Sequence, residues 1–408
     1  MNIHKVSFTN KDNEQLAGRL ELPKDREPHN FAVFAHCFTC SKNLIAVRNI
    51  GRALASAGFG VLRFDFTGLG ESEGDFENTN FSGNVDDLIE AAQFLEKNYK
   101  APTLLIGHSF GGAAAIFAAT KIPSIKAVSV INSPSEPNHV MHLLKDDEDE
   151  IKRNGKAKVN LGGSNFTIKK QFLDDIQNKS LESIISDFDK ALLILHSPQD
   201  RVVGIKNAEK LYIAAHHPKS FVSLDGVDHL LSKQEDSQYV GDVIAGWASR
   251  YVDIPEPVKI SSKSKVAASL DGGAMFTTHL KLGDHTAIAD EPTKFNGNNF
   301  GPTPYEYISA GLAACTAMTV QMYARRKEWE IKNVSVHIDY SKEHAVDCEQ
   351  CVEKPSKIDT FTRQISFEGN LTSEQKKRLL EIADRCPVHK TLITDTQILT
   401  ELIEVNEA

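Results

Sequence analysis

Gly107-His108-Ser109-Phe110-Gly111 follows Pro102-Thr103-Leu104-Leu105-Ile106 and precedes Gly112 and the run Ala113-Ala114-Ala115-Ile116-Phe117-Ala118-Ala119. The first flank is a short aliphatic run of strand type, and the second is a run of helix formers. A strand, a glycine-flanked serine and a helix make a strained turn that holds the hydroxyl clear of the backbone. Side chains at the flanking glycines would collide with the neighbouring strand and helix. The five-residue pattern is common, but its strand-to-helix setting makes it specific.

Two further residues follow in chain order. Ala191-Leu192-Leu193-Ile194-Leu195 has the composition of a buried parallel strand, and Asp200 lies in the loop after it. Phe221-Val222-Ser223-Leu224 is the next strand, and His229 follows in Asp225-Gly226-Val227-Asp228-His229. A serine is inert until a base takes its proton, and a histidine base needs a carboxylate to fix its tautomer. Ser109, His229 and Asp200 fill these roles, with Asp225 and Asp228 as rival carboxylates. Asp228 adjoins His229, and sequence neighbours rarely reach round to each other's ring.

An oxyanion hole needs backbone N–H groups. Phe110, after the serine, offers one. The other comes from the loop His36-Cys37-Phe38-Thr39-Cys40-Ser41 after strand Phe31-Ala32-Val33-Phe34-Ala35, where Phe38 is the candidate. Asp65-Phe66-Thr67-Gly68-Leu69-Gly70-Glu71-Ser72 follows another strand, Val61-Leu62-Arg63-Phe64. These pieces together resemble the α/β-hydrolase family over residues 1–253. Cys37 departs from the family pattern, since many members carry glycine there. The resemblance implies a mostly parallel sheet with helices on both faces. It also implies cleavage of a small acyl ester, thioester or amide through an acyl-serine.

A length of 408 residues suits two domains. The net charge of −9 argues against a nucleic-acid partner. No run of about twenty apolar residues suggests a membrane span, and the amino end lacks an apolar signal core. Six cysteines make no disulfide scaffold, so a reducing cytoplasm is the expected location. No cofactor is expected. The helix-like spacing of Val243, Ile244, Trp247 and Tyr251 closes the first domain. Asp253-Ile254-Pro255-Glu256-Pro257 and Ser261-Ser262-Lys263-Ser264-Lys265 then mark a linker over 254–264. Residues 133–189 are long for a strand-to-helix connection and form a small cap. Phe166, Phe172 and Leu173 there either line a pocket or pack in the core.

In the second domain, residues 265–408, Thr303-Pro304-Tyr305-Glu306 is a capping box with proline at the first helical position. It opens a run of small and apolar residues, Ile308 through Met322, whose pattern predicts a central helix buried on every side. Leu379, Leu380, Ile382, Ala383 and Cys386 have helical spacing that stops at Pro387. Each helix is expected to place one cysteine, Cys315 or Cys386, on its apolar side.

Gly301-Pro302-Thr303-Pro304 through Ala313-Ala314-Cys315, with Arg385-Cys386-Pro387-Val388-His389-Lys390-Thr391-Leu392, resembles the OsmC and organic-hydroperoxide-resistance family. The resemblance implies an α+β fold, an obligate homodimer and reduction of organic hydroperoxides. By it, Cys315 attacks the peroxide oxygen, Cys386 condenses with the sulfenic acid, and a small dithiol restores both thiols. The sequence departs from the family at two points. The family's peroxidases hold the first cysteine as thiolate with an arginine from an early strand, and no arginine occurs between Tyr251 and Val320. Tyr305 stands where the family has a catalytic glutamate, and Glu306 one position later is explained by capping. Arg325, Arg326, Arg363, Arg385 and His389 are the candidate replacement cations. A non-catalytic dimerisation or ligand-binding module is the alternative for this domain.

His344-Ala345-Val346-Asp347-Cys348-Glu349-Gln350-Cys351 has metal-ligand spacing in His344, Cys348 and Cys351, but lacks a fourth ligand. Cys37-Phe38-Thr39-Cys40 is too far along the chain to complete it. A polar hairpin tip with free thiols is the simpler reading of residues 344–351.

Overall fold

The computed structural model describes residues 2–161, 164–177, 179–256, 258–344 and 357–402. The chain divides into two compact units, residues 1–257 and 258–408.

The first unit is built on one eight-stranded sheet. Its strands are β1 (Asn2–Thr9), β2 (Gln15–Leu22), β3 (Asn30–Ala35), β4 (Phe59–Phe64), β5 (Leu104–His108), β6 (Ala127–Ile131), β9 (Ala191–His196) and β10 (Lys219–Ser223), ordered β1-β2-β4-β3-β5-β6-β9-β10. β1 and β2 form an antiparallel hairpin and β2 meets β4 antiparallel; every later pair is parallel. β3, β4, β5, β6 and β9 are buried along their whole lengths, as strands covered on both faces must be. Helices α1 (Ile45–Ser56) and α8 (Gln234–Ala248) pack on one face, where Ile50, Leu54, Val240 and Ile244 meet Phe34, Val61 and Leu193. On the other face lie α2 (Phe81–Asn98), α3 (Phe110–Ala119) and α7 (Lys206–Ala214).

Between β6 and β9 the chain makes a 3₁₀ turn (Pro137–Leu144), α4 (Glu148–Asn154), the hairpin β7 (Lys156–Leu161) and β8 (Ser164–Lys169), α5 (Lys170–Gln177) and α6 (Leu181–Ile185). The acidic run at 146–150 lies at the start of α4, where carboxylates suit a helix N-terminus. Phe172 and Leu173 are buried core residues, whereas Phe166 is half-buried.

The second unit holds a three-stranded antiparallel sheet of β11 (Val266–Leu270), β12 (Thr278–Leu282) and β13 (His285–Ala289), and a long hairpin of β14 (Ile331–His344) and β15 (Lys357–Gly369). Its helices are α9 (Pro304–Arg326), α10 (Ser373–Ala383) and α11 (Pro387–Ile393). Thr303 and Glu306 close the capping box on α9. Two expectations need correction. α9 is not buried all round: only Leu312, Thr316, Val320 and Ala324 are buried, a single stripe at i+4 spacing. Met318 and Met322 on its other faces are 64% and 72% exposed, because no neighbour among the described residues covers them. Cys386 does not lie on α10, which ends at Ala383; it is the N-cap of α11.

The first unit contains a fully buried ammonium. Lys42 pairs with Asp65, and with Glu71 at 2.9 Å, while the Lys42 N–H donates to Asp65 Oδ1 at 2.6 Å. Arg63 donates to the Lys42 carbonyl at 2.7 Å and bridges to buried Glu21 at 2.8 Å. Asp65→Ala, which leaves the Lys42 charge buried with only the half-exposed Glu71, is expected to lower stability by about 3–5 kcal/mol, measured by chemical denaturation.

Candidate active site

Ser109 sits between the last residue of β5 and the first of α3, at φ 54° and ψ −125°. That conformation is costly for a residue with a Cβ and persists only where its surroundings fix it. Here the Ser109 N–H donates to the Ile131 carbonyl at 2.8 Å and its carbonyl accepts from Gly112 at 2.8 Å. The flanking glycines are required by close approach. A Cβ at Gly107 would lie 2.3 Å from the Gly111 carbonyl oxygen, and one at Gly111 would lie 2.4 Å from the His36 carbonyl oxygen.

Asp200 and His229 lie in the loops after β9 and β10. The Ser109 hydroxyl donates to His229 Nε2 at 3.0 Å, and His229 Nδ1–H donates to Asp200 Oδ2 at 2.7 Å. The other Asp200 oxygen accepts the N–H groups of Val202 and Val203 at 2.8 and 2.9 Å. Burial works to raise the Asp200 carboxyl, but the hydrogen bond and charge of His229 and those two amides hold it below the usual carboxylate value. The rival carboxylates are engaged elsewhere. Asp228 accepts from Ser232 N–H and Oγ–H, and Asp225 from Ser223 Oγ–H.

Two residues not singled out in the sequence hold His229 in place. Its carbonyl accepts from His108 Nε2–H at 2.7 Å and from Asn132 Nδ2–H at 3.1 Å. Fully buried Asn132, just past β6, also accepts the Ser197 N–H on Oδ1 at 2.9 Å, so it ties the loop of Asp200 to the loop of His229. Burial, then the neighbouring His229, pushes the His108 ring down to about 3, which keeps it a neutral donor. His196, held neutral by burial, donates from Nε2 to the Val203 carbonyl at 2.7 Å. The only sequence signal for Asn132 is a polar residue directly after a mostly apolar, wholly buried strand.

Phe38 lies in the loop after β3, its ring 5.1 Å from Phe110, 5.3 Å from Phe172 and 5.7 Å from Phe76. Cys40 N–H donates to the Cys37 carbonyl at 3.1 Å, which leaves the Phe38 N–H outside the turn's own bond. Cys37 and Cys40 are joined in a disulfide, so these two are not the free thiols that the composition suggested.

In the second unit Cys315 is half-buried and Cys386 is buried, and their thiols are hydrogen-bonded to each other. Burial and the Cys386 contact raise the Cys315 thiol. Burial also opposes ionisation of Cys386, but the hydrogen bond from Cys315 and the amides of His389 and Val388 at the start of α11 bring it below its ordinary value. Of the candidate cations, Arg363 approaches this pair through Thr316, whose side chain also hydrogen-bonds Cys386. It donates to Thr316 Oγ1 at 3.0 Å and to the Ala383 carbonyl at 3.3 Å, and pairs with Asp384 at 2.5 Å. Arg326 instead lies over the Tyr323 ring. Tyr305 stacks on Tyr340 at 4.3 Å, and Glu306 accepts the Thr303 N–H at 2.6 Å. Cys348, Cys351 and the His344 side chain lie outside the described residues, and among the described residues no cluster has metal-ligand geometry.

Asn132→Ala removes one bond to the His229 carbonyl and one to the Ser197 N–H. It is expected to lower kcat/KM for an ester by about tenfold or more by loosening His229; steady-state kinetics on the folded variant check this.

Comparison with known proteins bears on the family and fold of each unit. Residues 27–146 match the family model described as serine aminopeptidase, S33, and residues 296–401 match OsmC-like protein. The esterase domain of a Rhodothermus marinus protein is 49% identical; the match covers 62% of this chain and 99% of that domain, with a TM-score of 0.52. Monoglyceride lipase of Homo sapiens is 27% identical over 233 residues, 49% of this chain and 77% of the lipase. The uncharacterized protein YfhR of Salmonella typhimurium is 24% identical over 229 residues, 55% of this chain and 74% of that protein. With a buried parallel sheet, a glycine-flanked serine at its centre and near-half identity to an esterase domain, the chain belongs to the esterase-type α/β hydrolases, and it carries an OsmC-like domain after the hydrolase.

Proposed function

We propose that the first unit hydrolyses small acyl esters or thioesters through an acyl-serine. The observation that carries this reading is the continuous hydrogen-bonded chain from Ser109 through His229 to Asp200, with the serine held at positive φ. His229 Nε2 takes the hydroxyl proton as Ser109 Oγ attacks the acyl carbon, and Asp200 stabilises the imidazolium. The developing oxyanion is met by the N–H groups of Phe110, unpaired at the start of α3, and of Phe38. The imidazolium then protonates the leaving alkoxide or thiolate, and a water attacks the acyl-serine by the reverse of these steps. The half-buried rings of Phe38, Phe76 and Phe166 form a continuous apolar surface backed by buried Phe110 and Phe172, which suits an acyl chain better than a charged or sugar group.

Ser109→Ala is expected to abolish hydrolysis of a short p-nitrophenyl ester. Asp200→Asn should lower kcat by about 10⁴, the loss that follows when the histidine tautomer is no longer fixed. Asp228→Asn should stay within about twofold of the parent, since Asp228 accepts from Ser232 and nearby backbone amides and not from His229. Covalent labelling of Ser109 by a fluorophosphonate is the direct check. Absence of labelling on folded protein contradicts the serine mechanism.

A second reading concerns the OsmC-like domain and is favoured by the hydrogen-bonded Cys315–Cys386 pair beside Arg363. In it the pair reduces an organic hydroperoxide: one thiolate attacks the peroxide oxygen, an alcohol leaves, and the sulfenic acid condenses with the other thiol, releasing water. A small dithiol returns both thiols. Family resemblance gives the attack to Cys315, whereas the amides at the start of α11 favour the thiolate on Cys386. The exposed faces of α9 suit a second copy of the chain, so the active form of this reading is a homodimer. Cumene hydroperoxide added to protein with free Cys315 and Cys386 is expected to consume two thiols and to link them. Peptide mapping of the Cys315→Ser and Cys386→Ser variants identifies the attacking sulfur as the one that still forms a sulfenic acid. If hydroperoxide leaves both thiols titratable, the domain is a dimerisation or ligand-binding module.

A further inference from the structure

The Cys37–Cys40 disulfide encloses Phe38, one of the two residues assigned to the oxyanion hole. The four-residue loop is held from both ends. Upstream, His36 Nδ1–H donates to the Cys37 carbonyl at 2.9 Å. Downstream, Lys42 is fixed by its buried pair with Asp65. Between these anchors Thr39 sits at φ 60°, in the left-handed region that a β-branched residue strongly disfavours. The loop is therefore under local strain at the residue after Phe38, and a covalent bond closes the turn around it. The two sulfurs differ in access: Cys37 is 4% exposed, whereas Cys40 is only half-buried.

We infer that Cys37 and Cys40 form a reversible two-electron redox site, reduced by a small dithiol, whose state sets the geometry of the oxyanion loop and hence the rate of acylation at Ser109. The inference deepens the hydrolase reading and rests on it for the role of the Phe38 amide. The dithiol's first thiolate attacks the accessible Cys40 Sγ. The Cys37–Cys40 bond breaks, and its electron pair leaves on Cys37 Sγ, which takes a proton from water. The second thiolate of the reductant then attacks its own sulfur in the mixed disulfide, and Cys40 departs as thiolate and is protonated. The reductant leaves as a cyclic disulfide, and the protein has gained two electrons and two protons. With the covalent bond gone, Thr39 can leave the left-handed region, and the Phe38 N–H moves away from the oxyanion position. In the oxidised form the amide is preorganised, which is the condition for it to stabilise developing charge.

The test uses the full-length chain carrying Cys315→Ser and Cys386→Ser, so that the second thiol pair is silent, with dithiothreitol as reductant. Three quantities are followed: alkylation of Cys37 and Cys40 by peptide mapping, amide hydrogen exchange across residues 36–44, and the rate of fluorophosphonate labelling at Ser109. Reduction is expected to free both thiols, speed exchange in the loop, and slow labelling by about tenfold or more; removal of dithiothreitol and reoxidation with glutathione disulfide should reverse all three. Cys40→Ala should exchange and label like the reduced protein and be unmoved by dithiothreitol. The inference is overturned if both cysteines are alkylated without any reductant. It is also overturned if reduction leaves loop exchange unchanged, or leaves an active Ser109 labelling at its former rate. If Ser109 labels in neither state the hydrolase reading fails separately, and the exchange data still decide whether the cysteine pair sets the loop.

Discussion

The buried pair between Lys42 and Asp65 is the constraint on which the hydrolase site depends. An ammonium with no solvent access must find charge and hydrogen-bond partners, and here they come from the loops that follow two adjacent strands, β3 and β4. Asp65 Oδ1 also accepts the Lys42 N–H, and its other oxygen accepts the Glu71 N–H at 2.9 Å, so one carboxylate stitches both loops. A Cβ at Gly70, which stands at φ 56°, would lie 2.2 Å from that carboxylate, so the Gly-Leu-Gly turn is shaped around the pair. Buried ion pairs add little stability over a well-packed apolar filling. What this one contributes is position, and the loop it positions carries Phe38.

The same logic governs the rest of this edge of the sheet. Ser109, Asp200 and His229 come from three separate strand ends, at the edge where open parallel sheets gather functional groups. Strand ends alone do not set a hydrogen bond to a few tenths of an ångström. Asn132 does so by bonding the backbone of both loops, and buried neutral His108 adds a second donor to the His229 carbonyl. Burial lowers the His108 and His196 rings more than the backbone carbonyls and nearby Asp200 raise them, so they act as neutral, fixed donors to backbone carbonyls.

Much of this was legible in the chain itself, for physical reasons that also explain the gaps. The apolar runs at 104–106 and 191–195 could only be strands buried on both faces, and glycines at 107 and 111 mark backbone contacts that tolerate no Cβ. Asn132 was invisible because a residue that bonds to backbone leaves no partner pattern in the sequence. The disulfide was missed because CxxC spacing is equally compatible with free thiols, and composition points to the average cysteine of a chain. Cys386 continues the helical spacing of α10 by arithmetic alone. Arg385 N–H and Cys386 N–H bond back to Ile382 and Ala383, and the chain turns before Pro387 opens α11.

The small residues of α9 were misjudged for a different reason. Alanine, glycine and serine on several faces of a helix record close approach by neighbours, but a sequence does not say whose. Among the described residues β14, β15, α10 and α11 approach it, and the second unit's main cluster of buried side chains is small: Val320, Ala324, Leu379 and Ala383. A helix of 23 residues with so narrow a buried stripe leaves Ile308, Met318 and Met322 in contact with solvent. Large apolar side chains on a helix already packed along one stripe are what a second helix of the same kind would cover. In the homodimer proposed above, a second copy would cover these faces of α9, and Cys315, on the same helix, would be more deeply enclosed there than it is in one chain. Closer enclosure raises the cost of an unpaired thiolate, so whichever sulfur ionises there needs the amides of α11 or the guanidinium of Arg363 more, not less.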